Sequence, residues 1–143
     1  MNPRILQLLA LTFITLVILQ SILGGFLFWH SIGMTPHAIF SHYENKSLHG
    51  LLEVVSPHTL FIATALMATL HFLSFIPTIS ENTKRIMTHL LFSLFILDQG
   101  SVFFIALGLE LFAIIKLVSF ILFELVLGWV WIIIFQVTLK ELK

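Results

Sequence analysis

Residues 56–77 read SPHTLFIATALMATLHFLSFIP. Ser56-Pro57 has the form of a helix N-cap followed by proline at the first helical position, and Pro77 closes the run about twenty residues later. A span of ~20 apolar residues is what a helix needs to cross the hydrocarbon core of a bilayer. The next stretch, KRIMTHLLFSLFILDQG at residues 84–100, opens an apolar run that continues to Leu139. That run is too long for one crossing. A tight turn near Gly108-Leu109-Glu110 divides it into two. A turn at Asp98-Gln99-Gly100-Ser101 would leave only about twelve residues for the third crossing, too few to span. The first crossing is read over residues 5–28, as a retained helix, because its apolar run is too long for a signal-peptide core and lacks a small-residue cleavage site. The spans are thus placed at about 5–28, 57–76, 84–108 and 112–139 in one transmembrane domain. The expected fold is an all-α, integral membrane four-helix bundle.

Composition agrees. The chain has 143 residues, of which 59% are hydrophobic and 10% charged, against roughly 25% charged in a soluble domain. Its formal charge is zero, so nothing in it suggests nucleic acid. The absence of cysteine excludes disulfides, thiolate metal sites, Cys-ligated clusters and covalent haem attachment. An even number of crossings puts both termini on one side. Arg4, Lys84, Arg85, Lys140 and Lys143 collect there, against Lys46 and the turn-proximal Lys116, which is expected to snorkel outward. The positive-inside rule then makes both termini cytoplasmic, with a bacterial inner membrane as the expected location. The loop 30–56 faces outward. Thr35-Pro36 is expected to begin a short helix to Tyr43, and Ser47 to cap a second over Leu48–Val55, either lying in the interface or folding back over the bundle.

Two histidines, His71 and His89, fall inside crossings and flank one short polar loop. Imidazole is costly in hydrocarbon and is usually paired, solvated in a cavity, or bound to a metal or haem. Thr64 and Ala68 share the face of His71, and Ser93 and Gly100 that of His89. One reading makes these small residues a close helix contact with histidine hydrogen bonds. The other makes His71 and His89 axial ligands of haem b, with the small residues lining the porphyrin slot. His30 and His58 form a second, outer pair. His58 and His71 are thirteen residues apart, which rotates them by roughly 140°, so one haem is expected rather than two. A haem protein of this kind would pass electrons to quinone or a redox partner subunit, alone or as a homo-oligomer.

A different class of function rests on the outer cluster His37, His42, His49, Glu53 and His58, which suits copper, zinc or iron. His49 and Glu53 are four apart and share a helical face. A third candidate is a proton relay. Asp98 and Glu124 both lie near mid-membrane by their distance from the Gly108–Glu110 turn, with Gln99 and Gln20 at reach. Desolvation penalises a charged carboxylate there, so each is protonated or paired. The alternative for this set is helix packing, in a structural accessory subunit of a membrane complex.

Glu53, His58 and His71 also carry a resemblance. The chain is similar to a group of small, poorly characterised bacterial membrane proteins with four helices. In that group a glutamate precedes a histidine at the start of the second span, and another histidine follows thirteen residues on. Asp98 falls on an acidic position of that group's third span. The resemblance covers about a third of the chain and implies a four-helix fold in which these residues matter. The likeness to four-helix b-type cytochromes is one of architecture. Enzyme signatures such as a Gly-rich phosphate loop, G-x-S-x-G or H-E-x-x-H are missing from the sequence.

Overall fold

A computed structural model describes residues 3–141. It contains five helices: α1 (Pro3–Ser31), α2 (Pro36–Tyr43), α3 (Leu48–Ser74), α4 (Glu81–Ala106) and α5 (Leu111–Glu141). Four of them are long and apolar enough to cross a membrane, over Gln7–Ser31, Leu48–Ser74, Glu81–Ala106 and Leu111–Lys140. At ~1.5 Å per residue the shortest of these exceeds a hydrocarbon core of ~30 Å. No strand occurs among the described residues. The protein is an all-α membrane protein with lipid around it.

Each boundary has a local cause. Thr35 accepts from the Ala38 N–H and is followed by proline at the first helical position, so α2 starts where the sequence indicates. Ser47 accepts from Gly50 N–H and Ser80 from Thr83 N–H. After α4 the chain reverses through Gly108 at φ +84°, a left-handed conformation that glycine adopts freely. The expected turn at Gly108-Leu109-Glu110 is therefore the one formed. Lys84 closes the other turn. Its ammonium donates to Glu81 Oε1 at 2.7 Å and to the Ser74 carbonyl at 3.0 Å, satisfying an acceptor at the end of α3.

One boundary differs from expectation. Ser56-Pro57 does not begin a helix. The chain is helical without a break from Leu48 to Ser74, with Pro57 inside. Proline there removes the N–H that would bond the Glu53 carbonyl. Both residues are exposed, however, and the Ser47 cap starts the helix nine residues earlier.

α4 and α5 form the tightest pair, a hairpin on which α1, α2 and α3 lean; α1 scarcely touches α3. On α4 the buried residues Met87, Leu91, Leu94, Asp98, Ser101 and Ile105 recur every three or four positions, one stripe facing inward. Two apolar clusters result. The larger lies toward the termini and includes Ile14, Leu66, Leu73, Leu91, Phe123, Val130 and Ile134. The smaller joins α2 to the α4–α5 end through Ile39, Tyr43, Leu51, Val102, Ile105 and Ala113. So α2 folds back over the bundle, as one of the two expectations for the loop had it. Trp131 is buried and donates to Thr69 Oγ1 at 3.4 Å, whereas Trp29 and Trp129 are exposed.

Candidate functional site: a charged cavity inside the bundle

Lys116 does not snorkel outward. It is 5% exposed and its ammonium meets Asp98 Oδ1 at 2.8 Å; Asp98 is 8% exposed. The same ammonium donates to the Asp98 carbonyl at 3.3 Å and lies over the rings of Tyr43 and Phe28, 5.8 and 5.9 Å from their centroids. A carboxylate, a carbonyl and two aromatic faces thus surround the cation. The second Asp98 oxygen accepts from Gln99 Nε2 at 2.6 Å, and Gln99 Oε1 accepts from Thr59 at 3.5 Å. Glu124, one and a half turns past Ser119 on α5, accepts from Ser21 of α1 at 2.5 Å.

These groups line one cavity of about 550 Å³. Its walls follow helical spacing: Val17, Ser21, Gly24, Phe28 on α1; Val54, His58, Phe61, Ala65, Thr69 on α3; Phe95, Asp98, Val102 on α4; Lys116, Phe120, Glu124, Leu127, Trp131 on α5. His42, Tyr43 and Lys46 line it at the α2 end. Polar groups descend from that end, through Lys116, Asp98 and Gln99, to Glu124 and Ser21. Below them Thr69 and Trp131 give way to the larger apolar cluster. The polar side chains thus gather toward the α2 end of the cavity, and its far end is apolar.

Two groups at the mouth are shifted. Burial, then the nearby Asp98 charge, pushes the Tyr43 hydroxyl up to about 12. Burial, then the Lys46 charge, holds His42 below the ordinary imidazole value. Tyr43 therefore stays a neutral hydroxyl beside the ion pair.

The expected histidine sites are arranged otherwise. His71 and His89 are both exposed, and so are Thr64 and Ser93. The reason is rotational: Thr69 and Leu73 are the buried positions around His71, and Met87 and Leu91 those around His89, so each histidine lies about 200° from both neighbours' inward face. His71 packs its ring edge-on against Phe75 at 4.8 Å, and Thr64 bonds the Leu60 carbonyl. Ala68 and Gly100 are half-buried. His30 is exposed and stacks on Phe26 at 6.2 Å, while His58 lines the cavity. In the outer cluster His49 and Glu53 do pair, at 3.2 Å, but 86% and 67% exposed. His37 is exposed, and His42 alone of the cluster joins His58 at the cavity. No group of three or more potential metal-ligating His, Cys, Asp or Glu side chains forms among the described residues.

Asp98, Glu124, Gln99, Gln20 and His58 were legible as intramembrane polar groups, and all five line the cavity. From the sequence, pairing of Lys116 with one of the two carboxyls ranks below snorkelling, and the structure reverses that order; Tyr43 and Ser21 were not singled out. The signal was present: Lys116, Glu124 and Trp131 fall on one α5 stripe with Phe120 and Leu127.

A family model described as a transmembrane helical domain, Aq_1264_TM, matches residues 33–143. Neither a curated protein nor a solved structure matches the chain.

Proposed function

The chain belongs to the Aq_1264_TM family of transmembrane helical domains, and from that footing we propose that the charged cavity is an intramembrane proton-exchange site. Asp98 and Glu124 are the carboxyls that take up and release the proton. The observation that carries this reading is the buried Asp98–Lys116 pair, standing in a cavity rather than in a packed interface. Charged groups inside a membrane span are costly, and those that persist commonly line ion or proton paths.

The chemistry follows from the contacts. With Asp98 ionised, Lys116 holds it at 2.8 Å. A proton arriving on Asp98 cancels the attraction and frees the ammonium toward Tyr43 and Phe28. Gln99, bonded to both Asp98 and Thr59, orients the carboxyl and contributes to a hydrogen-bonded route. Glu124, hydrogen-bonded to Ser21, is the inner terminus. The apolar cluster beyond it blocks passage to the other face, so the chain by itself supports one-sided access. Delivery onward requires a partner subunit or another copy. With both termini cytoplasmic, as the basic residues indicate, the path opens outward. Electron transfer through haem at His71 and His89 would need a ligand or second chain at the exposed surface. Metal capture by the outer cluster would need its histidines gathered by a rearrangement of α2. The His49–Glu53 contact is the part of that cluster already made.

The chain contains no cysteine, so single replacements report water access without interference. Gln99→Cys and Ser21→Cys should react with a hydrophilic thiol reagent applied from the α2 side, and Leu91→Cys in the apolar cluster should not. Unreactive cysteines at both cavity positions would mean no aqueous path reaches the carboxyls, and the reading would fall.

A further inference from the structure

We propose that the same cavity opens sideways to lipid and binds an anionic amphiphile, its head at Lys46, His42 and Tyr43 and its acyl chain along the wall formed by Gly24 and Gly25. The proposal rests on the cavity being the functional site and names what occupies it.

The side opening is built into the packing. α1 leans on α5 and scarcely touches α3. Leu23 and Leu27 on α1, and Val54 and Phe61 on α3, line the cavity and yet are exposed, so they form a rim facing outward. Between those rims α1 presents two adjacent glycines, and a Cβ built on either meets nothing within 4 Å. The α3 wall runs from Val54 to Thr69, fifteen residues, or ~22 Å of helix. Half of a ~30 Å hydrocarbon core is shorter than that, so the acyl chain of one leaflet fits along the wall.

The head end selects charge. Asp98 is neutralised by Lys116, and Glu124 lies deeper, held by Ser21. Lys46 is in no ion pair among the described residues; its ammonium rests over the Tyr43 ring at 5.6 Å, at the cavity mouth. A cation over an aromatic ring, with an imidazole within reach of its charge, recognises a phosphate or carboxylate. A resident acidic phospholipid and a free fatty acid share that chemistry.

Trp131 is a built-in reporter, because it is buried yet lines the cavity, whereas Trp29 and Trp129 are exposed. The full chain carrying Trp29→Phe and Trp129→Phe is reconstituted into phosphatidylcholine vesicles. A minor fraction of brominated phosphatidylglycerol, brominated phosphatidylcholine or brominated stearate is then added. The expected result is quenching of Trp131 by an anionic species and not by phosphatidylcholine. Quenching by phosphatidylglycerol alone assigns the site to a resident lipid, and quenching by stearate alone to a free acid. Lys46→Gln should raise the half-quenching fraction about fivefold, the contribution of one cation near an anionic surface. Gly25→Phe should abolish quenching while helix content is unchanged, with Gly24→Leu as the second variant. No quenching by any species, or equal quenching by phosphatidylcholine, overturns the proposal. Quenching without a titrating carboxyl overturns the proton-exchange reading alone; a titrating carboxyl without quenching overturns this proposal alone.

Discussion

Lys116 on α5 and Asp98 on α4, eighteen residues apart in the chain, form a 2.8 Å ion pair across the α4–α5 hairpin, both buried. Removing one partner leaves an uncompensated charge, which typically costs ~3–5 kcal/mol. Asp98→Ala should therefore destabilise the protein by roughly that amount in reversible unfolding from detergent. The double variant Asp98→Leu with Lys116→Met should recover most of the loss and still show no proton exchange. If the double variant is as unstable as the single one, the pair is not the source of the effect.

Tyr43 is the chain's single tyrosine, so tyrosinate absorbance reports it alone. It should ionise only near pH 12, because burial and then Asp98 oppose the phenolate. Asp98→Asn should lower that midpoint. The linkage sign follows: the folded-state value lies above the ordinary 10, so this contribution to stability is complete below pH 10 and is lost as pH rises toward 12. Tyr43→Phe should remove the alkaline dependence.

His42 behaves oppositely. Burial, then Lys46, lowers its value below 6.5. The unfolded chain binds the proton first, so stability falls as pH drops below about 6.5 and continues to fall until the folded state also protonates. His42→Gln should flatten the acid limb of stability against pH. An unchanged limb would place the acid sensitivity elsewhere.

Gly108 turns the chain between α4 and α5 at φ +84°. Gly108→Ala should cost roughly 1–2 kcal/mol, since a side chain opposes the left-handed conformation, although a Cβ there meets nothing within 4 Å. A neutral substitution in a thermal melt would show that the turn has another conformation open to it.

Most of the fold could be read from residues 56–77 and the long apolar run after them, because membrane crossings depend on length and polarity alone. The Thr35 and Ser47 caps and the Gly108 turn were equally legible. Ser56-Pro57 misled because the proline-first pattern is local, whereas α3 was already started by Ser47. The site was legible only by halves. Depth along a helix can be counted in residues, so Asp98 and Glu124 were found. Rotation toward a neighbour depends on which stripe each helix buries, and in a chain that is apolar all round the sequence does not mark it. That is why His71 and His89 read as an inward pair but lie outside the packed face, and why Lys116, so close to a turn, read as an outward-reaching side chain.

The most direct test of proton exchange is infrared difference spectroscopy of the reconstituted protein as pH changes on the α2 side, with Asp98→Asn and Glu124→Gln for assignment. A protonated-carboxyl band that titrates reversibly, and disappears in one of the two variants, is the result expected. No titrating carboxyl band, or one indifferent to both replacements, would contradict the assignment of the cavity as a proton-exchange site.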